Sequence, residues 1–398
     1  MYRAVASNLR QLFTATALLA LLLLATETWL QTSSAVPASR IVSPQSSMEL
    51  QDILVPSDTT HHELLRLNHS AAITGTVGFS TNSLGMRGQE PENPKPAGLF
   101  RVLILGDEAV LGPGLPEKHT LTSRLQGFLA GATSRNIEVL NGGVPGYSPL
   151  LSLLQYQNEL IRLQPDLIVL HFDMTDVADD VVHRRYLKQS EGQQICSNPL
   201  LKDQRNSQVS ALKMLRNTAI CRTLAARILN ADNAESSNSG STISRNYEWT
   251  TKSGLDLRLQ VRHAMDPVIR LADLAEQHHV HLVITTSPVP WQVVSADDFP
   301  KLSKQVRLRD RWPVSGDVPQ LVLRTLCSNL SISFCDATAA FRGAKSSSKL
   351  FRSDATQLSE FGTALYAREI AATLLKSPEV AKTILRSTTA SVPTTDKS

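Results

Sequence analysis

The chain has 398 residues, of which 42% are hydrophobic and 19% charged, and its formal net charge is +4. This composition indicates a globular protein with room for one large domain. Acidic and basic residues are interspersed, and no basic stripe with interleaved aromatic residues indicates a nucleic-acid partner.

Residues 1–38 have the order of an export signal. Arg3 and Arg10 precede a Leu/Ala-rich stretch at residues 12–25, and small residues follow at positions 33–38. This basic, apolar, small order is typical of a signal peptide. Trp29 lengthens the apolar stretch enough to leave an uncleaved N-terminal anchor as the alternative. Both readings predict an exported protein that is periplasmic, extracellular or membrane-anchored, with membrane contact only through this segment.

Residues 39–97 form a polar N-terminal region, which ends in a linker. The linker is the stretch P-E-N-P-K-P from Pro91, whose prolines favour extended backbone. The main domain is predicted at residues 98–380, and residues 381–398 are predicted to be a flexible tail.

Apolar strands and amphipathic helices alternate through the main domain. Strands are predicted at 101–105, 137–140, 167–172, 281–285 and 332–336, and helices near 120–130, 150–163, 255–277 and 359–375. Because strands that alternate with helices form right-handed crossovers, the sequence predicts an α/β fold with a parallel central sheet flanked by helices.

An insert interrupts this alternation at residues 181–255. It contains basic and amide residues and the low-complexity run A-D-N-A-E-S-S-N-S-G-S-T from Ala231, which cannot bury a core of its own. The insert is interpreted as a cap with a flexible loop, and it is a candidate surface for a protein partner.

Four segments carry a resemblance to a known family. They are N-S-L-G-M-R-G from Asn82, F-R-V-L-I-L-G-D ending at Asp107, N-G-G-V-P-G-Y ending at Tyr147, and P-D-L-I-V-L-H-F-D-M-T-D ending at Asp176. In this order they resemble the SGNH (GDSL-type) hydrolases, a superfamily of α/β esterases and acyltransferases. The resemblance implies a three-layer fold.

The resemblance also implies where catalytic groups would lie. The family places its nucleophilic serine after Gly-Asp, and this chain has Glu108 there. The family's oxyanion glycine corresponds to Gly146, in the segment that ends at Tyr147. Its oxyanion asparagine corresponds to Thr175, in the segment that ends at Asp176, and the hydroxyl of Thr175 can still donate one hydrogen bond.

Near the C-terminus, S-D-A-T-Q-L-S-E-F-G is similar to the family pattern D-x-x-H-x-x-x-x-G. With Gly362 in register, Asp354 falls on the aspartate and Gln357 falls on the histidine. The orienting acid is therefore retained while the base is replaced.

These substitutions predict that hydrolysis has been lost. A carboxylate attacks an acyl group far more weakly than an activated serine, and glutamine is no base near neutral pH. Loss of one triad member already removes most of the rate. The favoured hypothesis is an exported pseudoenzyme that binds a carbohydrate or acylated ligand. The alternative is an active carbohydrate esterase or O-acyltransferase with a rearranged site. No cofactor and no metal ion are predicted.

Other candidate groups have simpler interpretations. Glu108 and Asp354 could form a glycosidase-type pair, but capping and ion pairing explain such acids more often. The same applies to a cluster of acids that follows a strand and resembles a metal site, Asp173, Asp176, Asp179 and Asp180. Ser148 could replace the nucleophile, but the sequence offers it no positioned base.

Histidines and cysteines complete the candidates. His278, His279 and His281 lie at a helix end, without carboxylate or cysteine partners at ligand spacing, which favours dipole capping or exposure over zinc binding. The cysteines form two local pairs, Cys196 with Cys221 and Cys327 with Cys335. Each pair could close a disulfide in an oxidising compartment, and buried free thiols are the alternative.

Overall fold

The computed structural model describes residues 53–66, 70–71, 78–199, 201, 255–293, 317–344, 349–352 and 357–385. The predictions for residues 1–38, for Asp354, for Cys221 and for most of the insert lie outside these residues. Among the described helices, none combines the length and the apolar character needed to cross a membrane.

Strands and helices are numbered here in chain order. The strands are β1 Leu54–Pro56, β2 His62–Leu64, β3 Ser70–Ala71, β4 Phe79–Ser80, β5 Phe100–Gly106, β6 Ile137–Gly143, β7 Leu167–His171, β8 Leu187–Ser190, β9 Gln193–Cys196, β10 His281–Thr286 and β11 Ser333–Asp336. The helices are α1 Glu108–Leu111, α2 Leu121–Ala130, α3 Pro149–Asn158, α4 Asp176–His183, α5 Leu255–Gln277, α6 Pro290–Val293, α7 Val318–Asn329, α8 Thr338–Arg342, α9 Glu360–Lys376 and α10 Pro378–Leu385.

A five-stranded parallel sheet forms the centre, in the order β6-β5-β7-β10-β11. All residues of β5 and β7 are buried, as their unalternating Val, Ile and Leu residues predict for strands covered on both faces. The predicted strands and their parallel pairing are thus confirmed. The chain reverses its direction of travel across the sheet between β5 and β7, and α/β sheets of this order bind ligands at that point.

Alternate residues of β5 face different helical layers. Leu103 and Leu105 belong to a core shared with α3, α4, α5 and α7, while Val102 and Ile104 belong to a core shared with α2, α9 and α10. The period-two alternation of a strand therefore separates two hydrophobic cores, one on each side of the sheet. The predicted three-layer α/β architecture is confirmed.

A third hydrophobic cluster lies under the N-terminal region. Ile53 and Leu64 pack with residues of α3 and with Cys196 at the end of β9. The antiparallel pairs β1–β2 and β8–β9 were not predicted, since their strands are only three or four residues long and their polar residues hide the pattern. The first part of the insert, residues 187–196, is therefore a hairpin.

The described cysteines are free thiols. Cys327 in α7 and Cys335 in β11 are buried free thiols, so of the two possibilities for this pair the disulfide does not form. Each belongs to a different hydrophobic core, on opposite sides of the sheet. Burial raises the pKa of each thiol to about 12, which keeps both protonated.

Candidate functional site

The candidate site lies at the carboxyl ends of β5 and β7. After β5, Gly106 adopts φ 152° and the chain turns directly into α1, whose N-cap is Asp107 and whose first residue is Glu108. The Asp107 carboxylate accepts a hydrogen bond from the Ala109 backbone N–H over 3.0 Å. Glu108 therefore lies in the first turn of a helix, where its negative charge is favoured by the helix dipole.

The Glu108 side chain binds the glycine that the sequence singles out. Its Oε2 accepts a hydrogen bond from the Gly146 backbone N–H over 3.2 Å. Burial raises the pKa of Glu108, and hydrogen bonds from its own backbone N–H and from Gly146 act in the opposite direction. Two backbone donors that would face an oxyanion in the family arrangement therefore face this carboxyl group.

Thr175 is likewise engaged by an acid. It is the N-cap residue of α4, and its hydroxyl donates to the Asp179 carboxylate over 2.8 Å. A hydroxyl has one hydrogen, so no further donor remains on this side chain while that bond is made. Asp179, one helical turn away, therefore competes with any ligand for the hydrogen of the Thr175 hydroxyl.

The site collects carboxyl groups that are withdrawn from water. Burial raises the pKa of Asp107, of Asp176 and of Asp179, the last to about 7, and charge repulsion from neighbouring acids adds to each shift. Burial would also raise the pKa of Asp173, but the adjacent His171 imidazole holds it below its ordinary value.

The acids after β7 lie at the start of α4 but do not cap it, since its N-cap is Thr175, which makes no side-chain capping hydrogen bond. Asp176 and Asp179 lie in its first turn, and Asp176 accepts from the Asp173 backbone N–H over 2.9 Å. Asp180 lies further along α4, is fully buried and contacts Arg184. These acids are less exposed than the sequence interpretation assumed.

His171 is the basic side chain among these acids. Its Nδ1 lies 2.7 Å from the Tyr366 hydroxyl, and its Nε2 lies 3.7 Å from an Asp173 oxygen and 4.0 Å from an Asp107 oxygen. No sequence motif indicated this residue, because it occupies the last position of a strand that otherwise reads as apolar.

The C-terminal segment contacts the loop that follows α1. Gln357 is half-buried, and its backbone carbonyl accepts from the Arg352 backbone N–H over 2.8 Å. The Arg352 guanidinium in turn donates to the Pro113 carbonyl, in the loop after α1, over 2.6 Å. The segment that carries Gln357 is thereby attached to the loop that follows Glu108.

Ser148 has a basic neighbour that the sequence did not predict. Its Oγ lies 3.4 Å from Nδ1 of His183, the last residue of α4. The structure thus places an imidazole beside Ser148, a neighbour that the sequence does not reveal. Ser148 is fully buried and caps α3, so its hydroxyl does not face the cleft surface.

The histidines that the sequence placed at a helix end behave as expected. His278 and His279 are exposed, and His281 Nε2 lies 3.1 Å from the Thr383 hydroxyl.

A separate cavity of about 200 Å³ lies between β2 and α3. Arg66 in its wall pairs with Glu63 and Glu159 at 3.4 and 3.0 Å, and Arg162 pairs with Glu159 at 3.2 Å. These two arginines and two glutamates neutralise one another, so they give the cavity no net charge that would attract a charged ligand.

No protein-family model matches the chain, and no curated protein matches it. Solved structures similar to it include a lipase/acylhydrolase from Enterococcus faecalis, at 12% identity, with 69% of this chain and 95% of that chain covered and a TM-score of 0.35. An acetyl xylan esterase is similar at 12% identity, with 69% and 100% covered and a TM-score of 0.38. An acetylxylan esterase from Geobacillus stearothermophilus is similar at 12% identity, with 72% and 97% covered and a TM-score of 0.37.

These structures are described as an acylhydrolase and as acetylxylan esterases. Identities and TM-scores this low carry nothing about activity.

Proposed function

We propose that this chain is an exported SGNH-like protein that binds a carbohydrate without hydrolysing it. One observation carries the proposal: the donors retained from the family arrangement are occupied by the protein's own acids. Gly146 N–H donates to Glu108, and the Thr175 hydroxyl donates to Asp179.

This arrangement opposes acyl-transfer chemistry. A tetrahedral intermediate needs donors aimed at its developing negative oxygen. Here a carboxyl group already lies against the Gly146 amide, and any ionised fraction of it repels an oxyanion placed nearby. The positions of the nucleophile and the base hold Glu108 and Gln357, neither of which replaces an activated serine or an imidazole.

The same arrangement selects a type of ligand. The candidate site is rich in carboxyl acceptors, among them Glu108 and the partly exposed Asp173, while the Gly146 amide and the Thr175 hydroxyl are already engaged as donors. Such a surface pairs with a ligand that brings many hydroxyl donors, which is the chemistry of a sugar, rather than with an ester carbonyl, which only accepts.

Two measurements on the purified full chain test the proposal. Hydrolysis of p-nitrophenyl acetate should not exceed the rate in buffer. Calorimetry with xylan oligosaccharides as the probe, with and without acetyl groups, should show binding that does not depend on acetylation. Asp173→Asn should weaken this binding at least about tenfold, since a charge-assisted hydrogen bond contributes roughly 1.5–3 kcal/mol. Asp273→Asn, at an exposed acid of α5, is the matched control and should bind as the wild type does.

One observation supports a second candidate, an esterase or O-acyltransferase with a rearranged site. Ser148 Oγ and His183 Nδ1 are 3.4 Å apart, which is the pairing of a nucleophile with its base. Turnover of acyl esters that disappears in Ser148→Ala would favour this candidate and would overturn the non-hydrolytic proposal.

A further inference from the structure

Three histidines that are distant in sequence meet beside the cleft. His61 precedes β2, His62 begins β2, and His183 ends α4. One ring nitrogen from each lies within 4.8 Å of the other two. The ring centroids of His61 lie 5.1 Å from those of His62 and 5.0 Å from those of His183.

We propose that His61, His62 and His183 form a binding site for a divalent transition metal ion of the zinc class. Three imidazoles leave one position of a tetrahedral ion open to water, the arrangement that catalytic zinc sites use. Nitrogen ligands without a carboxylate favour zinc, copper, nickel or cobalt over magnesium or calcium.

The hydrogen bonds of His62 orient it as a ligand. Its Nε2 lies 2.8 Å from the Pro145 carbonyl oxygen. A carbonyl only accepts, so Nε2 carries the hydrogen, and Nδ1 of the neutral ring presents a lone pair. Metal-binding histidines are typically held by a carbonyl or carboxylate on the nitrogen opposite the metal in this way.

The lone pair of His62 points at His61. The two Nδ1 atoms are 2.8 Å apart, so in the metal-free protein His61 donates a hydrogen to His62. A metal ion can take the place of that hydrogen and bind both nitrogens. The His61 hydrogen then moves to Nε2, which lies 3.2 Å from the Asn198 side-chain amide, and the amide oxygen can accept it after the group turns over.

The third ring is held by a neighbour outside the cluster. Ser148, whose Oγ is 3.4 Å from His183 Nδ1, helps to hold that ring.

The site is distinct from the carboxylate cleft but shares a peptide group with it. The carbonyl of the Pro145–Gly146 peptide accepts from His62, and the N–H of the same peptide donates to Glu108. A bound metal would fix His62 and, through this peptide, the donor that Glu108 uses. The metal site does not depend on whether the cleft binds a sugar.

Zinc binding by the full chain, produced without a polyhistidine tag and stripped with a chelator, tests the proposal. Calorimetry should show one zinc per chain, and zinc should raise the Tm. Cobalt(II) should give the visible absorption of a tetrahedral nitrogen site. His62→Ala and His183→Ala should lose at least about a hundredfold in zinc affinity, more than removal of a group that only orients a ligand.

His278→Ala combined with His279→Ala is the matched control, since it removes an adjacent, exposed pair of histidines. This double variant should bind zinc as the wild type does. If the control loses zinc binding instead, the site is misplaced. His62→Ala or His183→Ala could fail to fold, but the wild-type titration does not depend on them. A stripped wild-type protein that shows neither zinc binding nor the cobalt spectrum overturns the proposal.

Discussion

The Glu108 carboxylate accepts a hydrogen bond from the Gly146 backbone N–H over 3.2 Å. The two residues come from the ends of neighbouring parallel strands, β5 and β6, which pair through Gly106 and Gly143. The register of the sheet therefore places the Glu108 carboxyl group against the Gly146 N–H, the donor that a negatively charged intermediate would need. Burial of this and the neighbouring acids makes the cleft sensitive to pH.

Asp179→Asn should stabilise the protein at alkaline pH. Burial raises the pKa of Asp179 to about 7, above its value in the unfolded chain. Its contribution to stability is therefore present at acidic pH and is lost as the pH rises from about 4 through 7. The amide keeps an acceptor for the Thr175 hydroxyl without the charge. We expect a gain of about 1–2 kcal/mol at pH 8 and little change at pH 4.

Urea denaturation at both pH values measures this difference. Asp273→Asn, on the exposed face of α5, should leave stability unchanged at either pH. Equal stabilisation of the Asp179 variant at pH 4 and pH 8 would show that its gain does not come from the ionisation of this acid.

Gly143→Ala should destabilise the protein more than Gly146→Ala. A Cβ on Gly143 would lie 2.4 Å from the Leu111 backbone nitrogen and 2.9 Å from the Asp107 backbone carbonyl oxygen, so α1 would have to move. A Cβ on Gly146 meets no atom within 4 Å, but the residue has φ +71°. We expect a loss of about 3 kcal/mol or more for Gly143→Ala and about 1 kcal/mol for Gly146→Ala.

Chemical denaturation of the two variants side by side checks this order. A Gly143→Ala variant as stable as the wild type would mean that α1 does not pack tightly against β6, and the position of Glu108 would need revision.

In the metal-free protein, the histidine cluster should make the free energy of unfolding fall as the pH is lowered. The folded protein keeps these rings neutral, while the unfolded chain protonates them. The pKa of His61 is lowered to about 4 and that of His183 to about 3, so the folded state binds fewer protons than the unfolded chain below about pH 6.5. Stability from these groups is complete above pH 6.5 and is lost as the pH falls toward 4 and 3. His183→Asn should flatten this decline by about 2 kcal/mol between pH 7 and pH 4.

Thermal denaturation in the presence of a chelator, across that pH range, measures the decline. The double variant of His278 and His279 should show the wild-type slope, since both side chains are exposed. A His183→Asn variant with an unchanged slope would remove the cluster as the source of acid sensitivity.

The sequence predicts the sheet well because buried parallel strands are continuous apolar runs, and those of β5 and β7 stand out from their surroundings. The position of Glu108 also follows from sequence, since it comes directly after a strand and in front of a helix. The contact of the Glu108 side chain with the Gly146 N–H does not follow from the sequence. It depends on the register between β5 and β6 and on the rotamer of Glu108.

The histidine cluster shows a different limit. His61 and His62 form an adjacent pair that the sequence displays, but the third ring comes from the end of α4. The link between them depends on the packing of short, polar strands such as β2 and β9, whose patterns are too brief to predict. The hydrogen bond from the Thr175 hydroxyl to Asp179 could have been predicted from the sequence. Residues four apart lie on the same face of a helix, within hydrogen-bond reach.

The last prediction restores the family's missing groups. Glu108→Ser with Gln357→His places an alcohol and an imidazole at the nucleophile and base positions, and it also removes the carboxylate that occupies the Gly146 N–H. Thr175→Asn adds an amide with two hydrogens, of which one can remain for an oxyanion while the other meets Asp179. An oxyanion donor is typically worth about a hundredfold in rate.

The triple variant should therefore hydrolyse p-nitrophenyl acetate weakly but measurably, while Glu108→Ser and Gln357→His alone stay at the buffer rate, because triad members act as a unit. The control is the triple variant with Asp354→Asn, which should lose the gained activity if that acid orients the new imidazole. A folded triple variant whose three side chains lie within hydrogen-bond reach of one another, yet which cleaves no acyl ester, would contradict the prediction. That result would mean that a neighbouring acid, rather than the missing serine and histidine, keeps the site from stabilising an oxyanion. Asp173 is that acid, since its pKa lies below its ordinary value and its negative charge would persist after the substitutions.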